Sequence, residues 1–184
     1  GCIPTMIYRL IVFFGTVFAV VGVDQLTKRI AVDRLMGQGS HTYFNDMARL
    51  LYAENTGAFL SLGARLPETT QRGVFLGLVT VILLGLLVYV LREISSLSYP
   101  LLVGFALILG GGLGNLIDRV VNDGRVVDFM NVGIGRLRTG IFNVADMALM
   151  AGVAMVMIFG LFTHQEAIVE SEPDSTEAIS AGEG

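Results

Sequence analysis

Four apolar runs, at residues 6–23, 74–91, 97–117 and 141–162, constrain this chain more than any other feature. A hydrocarbon layer about 30 Å thick is crossed by roughly 20 apolar residues in an α-helix, a form that satisfies every backbone donor and acceptor where no water can. The first run is interrupted only by Arg9, close enough to its start for the side chain to snorkel toward lipid headgroups. With 53% hydrophobic and only 15% charged residues, the 184-residue chain has too little polar surface to solvate a compact globule. The fold class that follows is an all-α membrane protein, a bundle of four transmembrane helices.

The polar residues are unevenly divided between the connections. Between the second and third runs lie only Arg92, Glu93 and a few small residues, which predicts a tight antiparallel helical hairpin. The loops at 24–73 and 118–140 are separated by an even number of crossings, so both emerge on the face opposite that hairpin and can build one shared site. The first loop begins by continuing the first helix, with Asp24 and Lys28 spaced i, i+4. Its character changes at Gly37-Gln-Gly-Ser40, and residues 43–62 read as short strands and loops. In the second loop, Val120-Val-Asn-Asp-Gly-Arg-Val-Val127 sets two β-branched pairs around an Asn-Asp-Gly turn and predicts a small hairpin. Two domains of unequal kind result: a membrane domain over 1–163, and a tail over 164–184 that carries acids without Lys or Arg and is predicted to be disordered. Gly1-Cys2 resembles the end of a lipoprotein cleavage site, but residues 1–5 are read as a non-native leader ahead of Met6.

Several functions fall away on composition. A net charge of -4 and no basic-aromatic stretch argue against nucleic acid. One cysteine and two widely separated histidines, His41 and His164, give neither an internal disulfide nor a zinc site. Orientation is less direct. Arg9 and Arg92 are almost the only cations on one face, so the positive-inside rule taken literally would put the termini outside. Several of the opposing cations neighbour Asp24, Asp33, Asp118 or Asp123, as site or fold residues would.

Asp146 lies inside the fourth apolar run, where an ionisable group is costly unless paired or hydrated, and marks a functional site by default. Asn143 and Asp146 share a helix face at i, i+3, and the chain back to Asp128 is long enough to return that carboxylate to the same place. Two carboxylates in contact in a low-dielectric site cannot both ionise, so the pair would hold one proton. The ionised member could take a proton from water while the other polarises a peptide carbonyl, which is peptide hydrolysis without metal. The plainer alternative makes Asp146 a capping or pairing group and Asp128 a surface acid. A further alternative is a Mg²⁺ or Ca²⁺ site using Asp118, Asp123, Asp128 and Asp146, although their spacing matches no known loop.

Other clusters lie near these acids. Gly110-Gly-Gly-Leu-Gly-Asn-Leu-Ile-Asp-Arg119 lacks the Lys-Ser/Thr of a phosphate loop, and its glycines suit close helix packing. Asn115, Asp118 and Arg119 fall on one helix face, as a polar site or as capping and ion-pairing groups. In Tyr52-Ala-Glu-Asn-Thr-Gly-Ala-Phe59, Gly57 suits a tight turn and Asn55 could bond an extended backbone.

In order along the chain, Asp24-Gln-Leu-Thr-Lys28, Asn55-Thr-Gly-Ala-Phe59, Gly111-Gly-Leu-Gly-Asn-Leu-Ile-Asp-Arg119, Val127-Asp-Phe129 and Phe142-Asn-Val-Ala-Asp146 resemble the motif set of the bacterial lipoprotein signal peptidases, the type II signal peptidases. The resemblance spans the first apolar run to the fourth. It implies a cofactor-free and metal-independent aspartic endopeptidase that cuts diacylglyceryl-modified prolipoproteins just before the lipidated cysteine. Asp128 and Asp146 fall on the catalytic positions, with Asp24, Lys28, Asn55, Gly57, Asn115, Asp118, Arg119 and Asn143 shaping the site or touching substrate. It also implies a monomer among membrane lipids of the bacterial inner membrane, with both termini cytoplasmic and the site near the outer leaflet. The first loop would form a small β-rich platform and a surface helix. A carboxylate-gated transporter remains the main alternative, against which stands the lack of a visible internal repeat; a purely structural subunit is the other.

Overall fold

The computed structural model describes residues 2–56 and 68–171. Its elements are α1 (Cys2–Leu35), β1 (His41–Tyr43), β2 (Ala48–Asn55), α2 (Glu68–Glu93), α3 (Tyr99–Val121), β3 (Val126–Ile134), β4 (Leu137–Arg138) and α4 (Val144–Ser171). Each of the four helices contains a stretch long and apolar enough to cross a membrane. Helix ends depart from the apolar runs for local reasons. α3 starts at Tyr99 because Ser98 is extended (φ -66°, ψ 155°) and Pro100 fits the first turn, where no N–H is needed. α4 starts at Val144 because Phe142 is taken by the sheet: its N–H donates to Met130 O (2.8 Å) and its carbonyl accepts from Met130 N (2.9 Å). α4 continues to Ser171, beyond the expected start of the tail. The remainder of that tail, 172–184, lies outside the described residues.

α3 is the central helix. Its buried Leu102, Ala106 and Leu109 join Phe13 and Val17 of α1 and Leu83 and Val90 of α2 in one apolar core. Against α4 the approach is so close that a Cβ on Gly111 would collide with the Ala145 carbonyl oxygen and press on Leu149 N at 3.1 Å. The glycine run is thus a packing surface. At the far end of the bundle Arg9 does not reach for headgroups. Its Nη1 donates to the carbonyls of Ile94 (2.8 Å) and Leu97 (2.6 Å), and the guanidinium lies 4.8 Å from the Tyr99 ring centroid. The unpaired carbonyls where α2 ends are the stronger acceptors at close range.

A four-stranded antiparallel sheet, in the order β1-β2-β3-β4, joins the two loops on the opposite face. β2 from the first loop pairs with β3 from the second, from Ala48↔Val132 to Asn55↔Val126, with an irregularity between Leu50 and Ala53. This is the expected β-rich platform. The hairpin expected at 120–127 is not formed: Val120 and Val121 complete α3. Asn122 N–H then bonds Asp118 O and Gly124 N–H bonds Arg119 O, both at 2.7 Å, and the left-handed Asp123 (φ 51°) and Gly124 (φ 87°) turn the chain into β3. Asn-Asp-Gly serves as a helix C-cap here. The hairpin of this loop is β3–β4, closed by Ile134↔Leu137. Residues 36–56 of the first loop contain no helix, and 57–67, with Gly57, lie outside the described residues.

Candidate active site

The platform sits where α1, α3 and α4 meet, and the polar groups there form one connected network. Asp24 on α1 is fully buried. Its Oδ2 accepts the Lys28 ammonium at 2.8 Å, one helical turn on, and its Oδ1 accepts the Ala145 N–H at 2.9 Å, in the first turn of α4. A carboxylate at that helix end meets unpaired N–H groups and the positive end of the helix dipole. Gly114 leaves the room, since a Cβ there would stand 2.6 Å from Asp24 Oδ2. Lys28 also pairs with Asp118 Oδ2 (3.1 Å) and donates to Asn115 Oδ1 (3.0 Å). Asp118 Oδ2 in turn accepts the Val127 N–H at 3.0 Å, fixing the strand residue next to Asp128. One ammonium between two buried carboxylates thus ties α1 to α3, and through them the starts of β3 and α4.

The two candidate aspartates rest on that frame. Asp128, on β3, is 2% exposed; its Oδ2 accepts from Asn55 Nδ2 at 2.9 Å and its Oδ1 from Asn143 Nδ2 at 2.7 Å. Asp146 accepts from Asn115 Nδ2 at Oδ1 (2.8 Å) and from the Asn143 backbone N–H at Oδ2 (3.1 Å), while its own N–H donates to Asn143 Oδ1 (3.0 Å). Asn143 therefore touches both carboxyls. Asn115 is oriented from behind: its Oδ1 accepts from Lys28 and from Asn143 Nδ2 (3.1 Å), which leaves its amide nitrogen facing Asp146.

Burial pushes the Asp128 carboxyl above the usual aspartate range, and the charge of Asp146 pushes the same way. The amides of Asn55 and Asn143 and the charge of Lys28 offset part of that rise. Arg119 closes one side. Its guanidinium lies 5.1 Å from the Phe75 ring centroid and its Nη1 donates to Asn115 O at 3.2 Å. Its buried Nε has no hydrogen-bond partner among the described residues.

Asp24, Lys28, Asn55, Asn115, Asp118, Arg119, Asp128, Asn143 and Asp146 thus converge, from five elements. Asp123 does not join them: it is exposed in the turn after α3, and Asp118 is engaged by Lys28. The four acids considered for a cation do not share one centre. Gln25 was missed. Its Nε2 reaches Asp118 Oδ1 (2.8 Å), Gly114 O (3.2 Å) and Asp24 Oδ2 (3.3 Å), bracing both buried acids. Its place beside Asp24 in the first motif was the available signal.

Comparison with known proteins bears on this arrangement. The sequence profile described as signal peptidase (SPase) II matches residues 16–162. The chain is 38% identical over 157 residues to the lipoprotein signal peptidase of Chlorobium phaeovibrioides, covering 80% of this chain and 88% of that one. It is 34% identical over 176 residues to that of Pelodictyon phaeoclathratiforme (91% and 98% covered) and 32% over 164 residues to that of Borrelia hermsii (86% and 95%). A solved structure of a bacterial membrane enzyme superposes with a TM-score of 0.68 at 29% identity, over 81% of this chain and 92% of the other.

Proposed function

The chain belongs to the signal peptidase II family of aspartic peptidases, and from that premise we propose that it removes signal peptides from diacylglyceryl-modified prolipoproteins, with Asp128 and Asp146 as the catalytic pair. The cut falls on the N-terminal side of the lipidated cysteine. The observation that carries the assignment is Asn143, which bonds both carboxyls at once, that of Asp128 through its side-chain amide and that of Asp146 through its backbone N–H.

In this reading the more buried Asp128 holds the proton and Asp146 is ionised. A water between them gives a proton to Asp146 as its oxygen attacks the scissile carbonyl, and Asp128 protonates the carbonyl oxygen, leaving a neutral gem-diol. Asp146 then passes its proton to the departing nitrogen, Asp128 recovers one from a diol hydroxyl, and the C–N bond breaks. Arg119 and the asparagines orient substrate carbonyls, which fixes the reacting bond before chemistry begins. The signal helix lies among the four helices with the acyl chains in lipid. The enzyme acts as a monomer in the inner membrane, with both termini cytoplasmic and the platform at the outer leaflet; residues 1–163 form the peptidase and the acidic tail lies outside it.

Asp128→Asn and Asp146→Asn, each purified with intact helicity, should abolish the gel-shift cleavage of a lipidated precursor that the parent chain performs. Substantial residual cleavage by either variant, or equal cleavage of lipidated and unlipidated precursor by the parent, overturns the proposal.

A further inference from the structure

The platform carries a feature that peptide hydrolysis does not use. Phe44, Asn45 and Asp46, in the turn between β1 and β2, all adopt left-handed backbone (φ 52°, 54° and 68°), and Phe44 at its tip is 80% exposed. Non-glycine residues avoid this region, bulky ones most of all. The turn is held by two arginines. Arg49 forks onto the Asp46 carboxylate through Nε and Nη2, both at 2.6 Å, and Arg138 Nη1 donates to the Asp46 carbonyl at 2.6 Å while its Nε is seated on Asn131 Oδ1 at 2.6 Å. Two guanidiniums thus hold an aromatic side chain out from the protein.

The surroundings of the tip are apolar. Gly133 N–H bonds Met47 O at 2.8 Å, so the β1–β2 turn lies beside the β3–β4 turn, where the paired Ile134 and Leu137 are 73% and 84% exposed. From this end of the sheet an open groove of about 570 Å³ runs down between β3 and α4, lined by Val132, Ile141, Phe142, Met147 and Met150 among others. Met147 and Met150 belong to the outward face of a membrane-crossing helix. The exposed end of the platform is therefore continuous with the surface that α4 presents to lipid.

We propose that this end of the sheet is an interfacial anchor: Phe44, Ile134 and Leu137 are immersed in the adjoining leaflet, and a phospholipid acyl chain occupies the groove beside α4. Aromatic and aliphatic side chains gain free energy at the headgroup–acyl boundary, and a rigid tip loses little conformational freedom on insertion. Asp128 lies on the strand that ends in Ile134, and Asp146 precedes Met147, so the anchor sets the depth of both aspartates in the bilayer. The inference goes beyond the peptidase reading and does not depend on it.

The chain contains no tryptophan, so a single introduced indole reports on one position. Phe44→Trp and, separately, Leu137→Trp would be reconstituted in phosphatidylcholine vesicles with bromines on the acyl chains near the glycerol or near the chain end. Both should lose most of their emission to the near-glycerol bromolipid and little to aqueous iodide. Emission quenched by iodide and spared by bromolipid places the tip in water and overturns the proposal. So does emission that neither quencher reaches, the outcome if a second copy or another protein covers the tip. These readings hold whether or not a lipidated precursor is cut.

Discussion

Asn143 and Asp146 exchange hydrogen bonds across the first turn of α4, Asn143 Oδ1 accepting from the Asp146 N–H at 3.0 Å and Asp146 Oδ2 accepting from the Asn143 N–H at 3.1 Å. This is the reciprocal form of a capping box, built from Asn and Asp. The bonds that start the helix therefore also aim the carboxylate proposed to be catalytic, and the Asn143 side-chain amide remains free to donate to Asp128.

The two jobs of Asn143 should separate on substitution. Serine accepts the Asp146 N–H as a helix cap but has no amide to give Asp128. Asn143→Ala should lose about 1 kcal/mol of stability, and both it and Asn143→Ser should lose about a hundredfold in kcat, the scale of one preorganised donor. Melting temperature should be largely restored by serine while single-turnover cleavage is not.

Lys28→Met leaves Asp24 and Asp118 buried together without their ammonium. Removing one partner of a buried ionic group costs about 3–5 kcal/mol, so thermal unfolding in detergent should fall steeply. Adding Asp118→Asn to Lys28→Met should recover part of that loss, because one uncompensated charge is then gone. Additive losses would mean that the three do not act as a unit.

Asp128 should leave a mark on the pH dependence of stability. Its folded carboxyl binds a proton more tightly than the unfolded one, whose ordinary value is 3.8, so this group's contribution to stability falls as pH rises from there through the raised folded value. Asp128→Asn removes that fall. The variant should be inactive yet more stable than the parent at neutral pH, with the difference vanishing in acid, as read by melting curves across pH.

Glycines that look alike in sequence should differ in tolerance. Gly111→Ala drives a methyl into the Ala145 carbonyl and Gly114→Ala drives one into Asp24, each at a cost of about 1–3 kcal/mol. Gly85→Ala, with nothing within 4 Å, should be neutral or slightly stabilising. Gly114→Ala should also reduce cleavage, because Asp24 positions the start of α4.

The four spans were legible because lipid imposes a length and a polarity that no other setting does, and Asp146 stood out by breaking that rule. What stayed hidden was non-local or depended on neighbours. The pairing of Asn55 with Val126 joins residues of different loops, and nothing in either segment names its partner. Val120-Val121 reads as strand by composition, yet continuing α3 satisfies its backbone at once. Arg9 and Gln25 carry no sign of which carbonyls or carboxylates lie within reach. The convergence of Asp128 with Asp146 was legible as a possibility in the length of chain between them and in motif order, whereas their link through a single asparagine needed coordinates.

The pairing of β2 with β3 has a temporal side. A ribosome delivers α1, β2 and α2 first, and that half holds Asp24, Lys28 and Asn55 with neither aspartate of the pair. Asp128 arrives on β3, and Asp146, with the Ala145 N–H that receives Asp24, only when α4 enters the bilayer. The proposed hydrolytic centre is thus completed only with α4, and the first half of the chain, threaded into the membrane earlier, holds neither member of the proposed pair.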